Sequence, residues 1–143
     1  RFTGIAYRAA DRYLKANDRT DISAFVLAGG WVEGMHLSLS AAGEKPAQAL
    51  VDRIGEQRKS LETLITLLEE TDKEGTAAGL VAGLKDLLTV YAGVTSTYQY
   101  QPPTVDASHK TTFINSTSTV TMAPGTLAAI ASKVAALRNQ ITA

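Results

Sequence analysis

Cysteine is absent from this chain of 143 residues, so disulfide bridges, thiol catalysis and cysteine-ligated zinc sites are excluded. Charge of one sign is not in excess either, because 14 Lys and Arg residues balance 14 Asp and Glu residues. A chain without net charge has no overall field that would attract nucleic acid or anionic lipid. We therefore expect no nucleic-acid partner.

Long hydrophobic runs are also missing. The longest, from Ala24 to Val32, is about nine residues and contains two glycines, whereas a membrane-spanning helix needs about 20 apolar residues. No direct transmembrane segment is predicted. The chain begins with Arg1 rather than Met, which favours a fragment or processed part of a longer exported protein.

Apolar residues recur at spacings of three and four, which predicts five helices in a single domain covering residues 1–143. These helices cover residues 2–16, 22–42, 46–71, 76–98 and the segment that starts at Pro124. The apolar stripe of the first helix is Phe2, Ile5, Ala9, Tyr13 and Ala16, and that of the second is Ile22, Phe25, Gly29, Val32, His36 and Leu39. The fourth and fifth stripes, with Leu84 and Val134 as predicted core residues, suit near-antiparallel packing in a bundle.

A Thr/Ser-rich segment, residues 104–122, interrupts the helical pattern after Pro102 and Pro103. Proline cannot continue a helix, and Thr, Val, Phe and Ile favour strands. We predict turns at 106–109 and 115–116 and a hairpin of strands 111–114 and 117–122. The fold class is therefore mainly α, a five-helix bundle-like domain with a small antiparallel β-hairpin between helices four and five.

The outer edge of such a hairpin would expose unpaired backbone groups, which invites strand addition by a partner or a second copy. A homodimer is accordingly one prediction, and Thr119 is the position where proline would block pairing if its strand is the free one. The alternative is that Lys110, Asn115 and ordinary solvation leave the edge unpaired.

Three glycines, Gly29, Gly30 and Gly34, lie within the second predicted helix, where each costs about 1 kcal/mol relative to alanine. One interpretation is close helix packing, because Gly79 and Gly83 repeat the same spacing on the fourth helix. The other is that the missing side chains leave room for a ligand beside Trp31.

Trp31, Glu33 and His36 are the candidate ligand-binding residues. Glu33 and His36 form an E-x-x-H pair, whose spacing places both on one helical face, as in di-iron bundles. The second such pair is missing, because the other histidine, His109, lies in a predicted turn. A hydrogen-bonded structural pair is the simpler interpretation, and we predict neither a metal site nor a cofactor.

Catalytic templates are not matched. The sequence contains no G-x-S-x-G, H-E-x-x-H or phosphate-binding G-x-x-x-x-G-K-[ST] motif, so no catalytic residue is assigned. Tyr91, Tyr98 and Tyr100 have spacings that favour core and rim positions, with stacking on a sugar or base as the alternative.

Three segments resemble parts of uncharacterised helical lipoproteins secreted by gut-type and environmental bacteria: GGWVEG at 29–34, RIGEQ at 53–57 and SKVAALR at 132–138. The resemblance implies a periplasmic or cell-surface location, with the full-length protein tethered to a membrane. The lipid-bearing cysteine and leader of that pattern are not in this sequence. The resemblance implies no activity for any residue.

Together these observations predict a non-enzymatic binding or scaffold domain of an exported bacterial protein, whose partner is an unknown protein or small ligand. The alternative is a small-molecule or metal-dependent enzyme centred on Trp31, Glu33 and His36.

Overall fold

The computed structural model describes the backbone of residues 2–43 and 45–143, and the side chains from residue 4 onward with the exception of 44. Its helices are α1 (Phe2–Ala16), α2 (Thr20–Ala42), α3 (Gln48–Thr71), α4 (Ala78–Val90) and α5 (Thr126–Thr142). Four short strands lie between α4 and α5: β1 (Val94–Gln99), β2 (Thr104–Asp106), β3 (Thr111–Phe113) and β4 (Thr117–Met122). The predicted mainly α fold, with a small antiparallel β region before the last helix, is confirmed.

Four of the helices form a closed ring around one core. α2 packs against α3 and α5, and α4 packs against the same two helices from the other side. All four helices contribute large, fully buried side chains: Val32, Ile54, Leu61, Leu68, Leu84, Leu87, Ile130 and Val134. The predicted burial of Leu84 and Val134 is confirmed.

Helix α1 lies outside this ring, with α2 as its main neighbour. The described members of its predicted apolar stripe are exposed, with Ile5 at 57% and Tyr13 at 69%. Leu14, which is not part of that stripe, is half-buried. Phe2, the first member of that stripe, lies outside the described side chains. The periodicity of a helix identifies its apolar side but does not supply the surface that covers it.

The buried line of α2 runs through Ala24, Ala28, Val32 and Met35, so Val32 is the one buried member of the predicted stripe. Phe25, Gly29, His36 and Leu39 of that stripe are half-buried. Because α2 is apolar on nearly all sides, its periodicity does not determine which side faces the core.

By length and composition, α2 could also cross a membrane, with a mean hydropathy of 1.2. A helix that packs against two neighbours in a core passes the same test. The absence of a transmembrane segment therefore stays a prediction.

The fourth helix is shorter than predicted. It ends at Val90, passes through a 3-10 turn at Tyr91–Gly93 and becomes strand β1, so residues 94–98 are not helical. Val, Thr and Tyr favour strands, and β1 finds an antiparallel partner in β4. Gly93 allows close packing at this corner, because a Cβ there would lie 2.6 Å from Thr126 Oγ1 and would force Thr126 to move.

The predicted pairing of strands 111–114 and 117–122 is wrong, although the strand positions are nearly right. β4 pairs with β1, and β3 pairs with β2 across the predicted turn that follows Asp106. The two ladders follow one another in a single long hairpin, which we call the arm (residues 94–122). The ladder is broken between them at Pro102 and Pro103, which have no N–H to donate.

Side chains bridge this break in place of the backbone ladder. The amide nitrogen of Asn115 donates to the carbonyl of Pro102 at 2.9 Å. Ser116 Oγ accepts from the backbone N–H of Gln101 at 3.1 Å and donates to its carbonyl at 3.2 Å. Asn115 and Ser116, predicted as a turn, are therefore the residues that hold the two halves of the arm together.

The base of the arm packs on α3. Val94 and Val120 are buried there, and Gly55 permits their close approach, because a Cβ at Gly55 would overlap the Val120 side chain. Beyond this contact the side chains of β2 and β3 are exposed except for Asp106, which is half-buried.

Candidate functional site

Trp31 lies at the boundary between α2 and α3. Its indole N–H donates to Gln57 Oε1 at 3.2 Å, which fixes the half-buried ring against α3. Beside it runs an open groove of about 270 Å³, a size just below the usual range for small-molecule sites. The groove is lined by Gly30, Trp31, Gly34, Met35, Ser38, Leu50, Arg53, Ile54 and Gln57.

The glycines of α2 do not mediate close helix packing, so that interpretation is wrong. A Cβ added at Gly29, Gly30 or Gly34 would meet no atom of a neighbouring element within 4 Å. Gly79 and Gly83 do allow close approach, but to α5, where they face Gln140 and Leu137. Gly30 and Gly34 instead border the groove beside Trp31, which is the second interpretation of the sequence.

Glu33 faces α5 rather than the groove. Its carboxylate accepts two hydrogen bonds from Arg138, at 2.6 Å from Nε and 3.4 Å from Nη2. The bond from Arg138 is the main cause that lowers the pKa of Glu33 below its usual value. Glu33 is therefore held as an anion in a salt bridge between two helices.

The structure does not gather Trp31, Glu33 and His36 into one site. Residues two apart on a helix point to nearly opposite sides, and Trp31 accordingly contacts α3 while Glu33 contacts α5. His36 is half-buried on the Glu33 side. In the part of the chain that the structure describes, no three His, Asp or Glu side chains are grouped closely enough to hold a metal ion.

The three tyrosines that follow α4 have separate positions. Tyr91 is fully buried, and its hydroxyl donates to the carbonyl of Ile54 at 3.0 Å. Burial raises the pKa of the Tyr91 hydroxyl. Tyr98 and Tyr100 lie on the arm and are 65% and 68% exposed, so they are not rim residues of a helix.

The arm carries the feature that sequence reasoning missed. Its exposed large apolar side chains are Tyr98, Tyr100, Val105, Phe113 and Ile114, each between 53% and 82% exposed. Formal charges within residues 94–122 are limited to Asp106 and Lys110. The sequence signal for the arm is a β-prone segment with aromatic residues, but the predicted helix 76–98 includes most of β1, so the arm is longer than the sequence predicts.

The tip of the arm is closed by a hydrogen-bonded turn. Asp106 Oδ1 accepts from the hydroxyl and backbone N–H of Ser108 and from the backbone N–H of His109, and Oδ2 lies 2.7 Å from His109 Nδ1. These bonds, led by that of the Ser108 hydroxyl, lower the pKa of Asp106 to about 2. Asp106 is therefore an anion at neutral pH, and its carboxylate accepts the hydrogen bonds that close the turn.

Comparison with known proteins adds no identification, because no family model, curated protein or solved structure matches this chain significantly. The resemblance of residues 29–34, 53–57 and 132–138 to bacterial lipoproteins stays a prediction.

Proposed function

We propose that this chain is a non-enzymatic binding domain of an exported bacterial protein, and that the arm is the element that contacts a protein partner. The observation that carries the proposal is the run of exposed apolar side chains on the arm, from Tyr98 to Ile114. The resemblance of residues 29–34, 53–57 and 132–138 to secreted lipoproteins supports the export.

The composition of the arm favours a protein surface as the partner. Tyr and Phe are enriched in protein interfaces, where they bury a large area with few rotatable bonds. A nucleic-acid partner would require several cations along the arm, and Lys110 alone carries a formal positive charge there. Hydroxyl groups of the many Thr and Ser residues add hydrogen-bonding capacity around the apolar side chains.

The position of the arm also favours binding. Its base is fixed on α3 by Val94 and Val120, while the tip lies beyond the helices with its apolar side chains in water. Exposed apolar groups on an ordered projection contribute nothing to the core, whereas a partner that covers them gains their burial free energy.

The first prediction shortens the arm without disturbing its base. Gln99 faces Thr117 at the end of the β1–β4 ladder, so residues 100–116 can be replaced by Asn-Gly, the preferred two-residue hairpin turn. Panning a displayed random-peptide library against the native chain is expected to enrich peptides that fail to bind the shortened variant.

The shortened variant should keep the helical circular dichroism and melting temperature of the native chain, which serves as the control for folding. Enrichment of no peptides, or of peptides that bind both proteins equally, would contradict the proposed role of the arm.

A second candidate function is small-ligand binding in the groove beside Trp31. The observation that favours it is that Gly30 and Gly34 keep the groove open without any packing contact that would explain them. Met35, Leu50 and Ile54 give the groove apolar walls, and Arg53 supplies a positive charge at its rim. A small apolar acid suits this lining.

The second prediction uses Gly34→Ala and Gly29→Ala as a matched pair. Both replace an unpacked helical glycine, so both should stabilise the chain by about 1 kcal/mol in urea unfolding. The new methyl group enters the groove only at position 34. Since Trp31 is the single tryptophan, its fluorescence reports on occupancy when benzoate is titrated as the probe.

Gly34→Ala is expected to weaken benzoate binding, while Gly29→Ala binds as the native chain does. If benzoate causes no saturable change in the Trp31 fluorescence of the native chain, or binds all three proteins equally, the proposed ligand binding in the groove is wrong. A metal-dependent enzyme centred on Trp31, Glu33 and His36 is a separate alternative, and it requires stoichiometric iron or zinc in protein purified without chelator that is lost in His36→Ala.

A further inference from the structure

The two outer edges of the β1–β4 ladder differ in whether α3 covers them. The backbone N–H of Val120 donates to Asp52 Oδ1 at 3.0 Å, and the carbonyl of Val120 accepts from Gln48 Nε2 at 3.1 Å. Two side chains of α3 therefore occupy the outward N–H and C=O groups of Val120, so a further strand cannot pair across this position of β4.

The bonds of Val120 also show which groups of β1 face outward. In an antiparallel ladder, residue pairs alternate between those that exchange hydrogen bonds and those whose backbone groups point away. Val120 faces Ser96, and the pair Tyr98 and Ser118 lies two residues further along. The N–H and C=O groups of Ser96 and Tyr98 therefore point away from β4.

These outward groups of β1 have no partner within the described parts of the chain, residues 2–43 and 45–143. Natural edge strands are protected by lysine, proline, bulges or a covering helix. The sequence of β1, VTSTYQ, contains no charge and no proline, and α3 covers the opposite edge. The ladder thus has one closed edge and one open edge.

We propose that β1 pairs antiparallel with β1 of a second copy of this chain, which joins the two ladders into a four-stranded sheet. The proposal deepens the proposed function, since it assigns the arm a first partner. Neither β1 nor β4 carries a charge, so the two-fold arrangement places no like charges opposite each other.

The side chains of β1 are complementary to themselves in this arrangement. With Ser96 on the two-fold axis, Tyr98 of one copy lies opposite Val94 of the other, because the positions are equally spaced on either side. Aromatic and β-branched residues form favourable cross-strand pairs. Tyr98, now 65% exposed, would be covered next to the buried Val94.

This geometry corrects the choice of Thr119 as the position for a blocking proline. Thr119 pairs with Thr97, and its N–H points into the ladder, so proline there would damage the arm itself. Ser96 is the appropriate position. Its N–H faces away from β4, and edge strands accept proline where the N–H points outward.

The third prediction is tested by sedimentation equilibrium of the purified chain. The native chain is expected to have the mass of a dimer, whereas Ser96→Pro is expected to be a monomer with an unchanged helical spectrum. A monomeric native chain at every concentration, or a folded Ser96→Pro variant that stays dimeric, would overturn the proposal.

If Ser96→Pro does not fold, a second pair of variants tests whether β1 forms the dimer interface. Thr97→Lys and Thr119→Lys place the same charge on exposed, directly opposed positions of the same ladder. Only Thr97 lies on the open-edge strand, so Thr97→Lys should weaken dimerisation by at least about tenfold relative to Thr119→Lys. Equal dimer affinities for the two variants would overturn the proposal.

The dimer and the proposed binding function can fail separately. If the native chain is a monomer but still enriches peptides that fail to bind the shortened variant, the dimer proposal is wrong and the binding function stands. If the native chain forms a dimer that Ser96→Pro abolishes but enriches no such peptides, β1 pairing is supported and the proposed binding of a protein partner by the arm is wrong.

Discussion

Leu84→Ala is expected to lower the free energy of unfolding by about 2–5 kcal/mol, the range for truncating a buried leucine to alanine and leaving a cavity in the core. Leu84 has no exposed surface and lies on α4, within the ring formed with α3 and α5. Urea unfolding measures the effect through the midpoint, with an unchanged slope showing that the denatured state is not altered.

Two further variants show whether this loss comes from the core. Val134→Ala, on the facing helix α5, removes fewer atoms and should lower the midpoint by less. Thr66→Ala, at an exposed position of α3, should stay within about 0.5 kcal/mol of the native chain. If Leu84→Ala and Val134→Ala leave the midpoint where Thr66→Ala does, the assigned core is wrong.

Tyr91→Ala is expected to cost about 3–5 kcal/mol, as for other large aromatic side chains removed from a core. Tyr91 is the largest fully buried side chain and lies where the chain leaves α4 and enters the arm. Its loss should therefore destabilise the core and loosen the base of the arm. Urea unfolding followed by circular dichroism measures the first effect, and amide exchange in β1 measures the second.

Tyr91→Phe separates the ring from the hydroxyl. The hydroxyl donates to Ile54, whose carbonyl keeps its ordinary helical hydrogen bond when the phenol is gone. The cost should therefore be about 0.5–1.5 kcal/mol, the net value of one hydrogen bond. A Tyr91→Phe variant as unstable as Tyr91→Ala would show that the hydroxyl, rather than ring packing, dominates.

The candidate site was predictable only in part. The three glycines around Trp31 suggest room for a ligand beside it, and the structure places Trp31 at a groove that Gly30 and Gly34 border. The grouping with Glu33 and His36 does not hold, because sequence spacing shows which residues share a helical face but not which neighbouring helix each one meets. Arg138, the partner of Glu33, is far away in the sequence and carried no signal of that role.

By itself, the sequence determined most of what local periodicity and turn chemistry control. It placed four of the five helices within a few residues, the core positions Leu84 and Val134, and the turn after Asp106. These features depend on residues close together in the chain, whose spacing and backbone preferences can be read directly.

Tertiary structure decided the rest. Residues 94–99 form a strand because they pair with β4, which lies more than a dozen residues later in the chain. If residues 94–99 were helical, the backbone groups of β4 would lose this partner. The closed edge of β4 depends on Asp52 and Gln48 of α3, and the open edge of β1 follows from it. Pairing and coverage join segments distant in the chain, so no local pattern carries them, and their energies override a preference of a few tenths of a kcal/mol per residue for helix or strand.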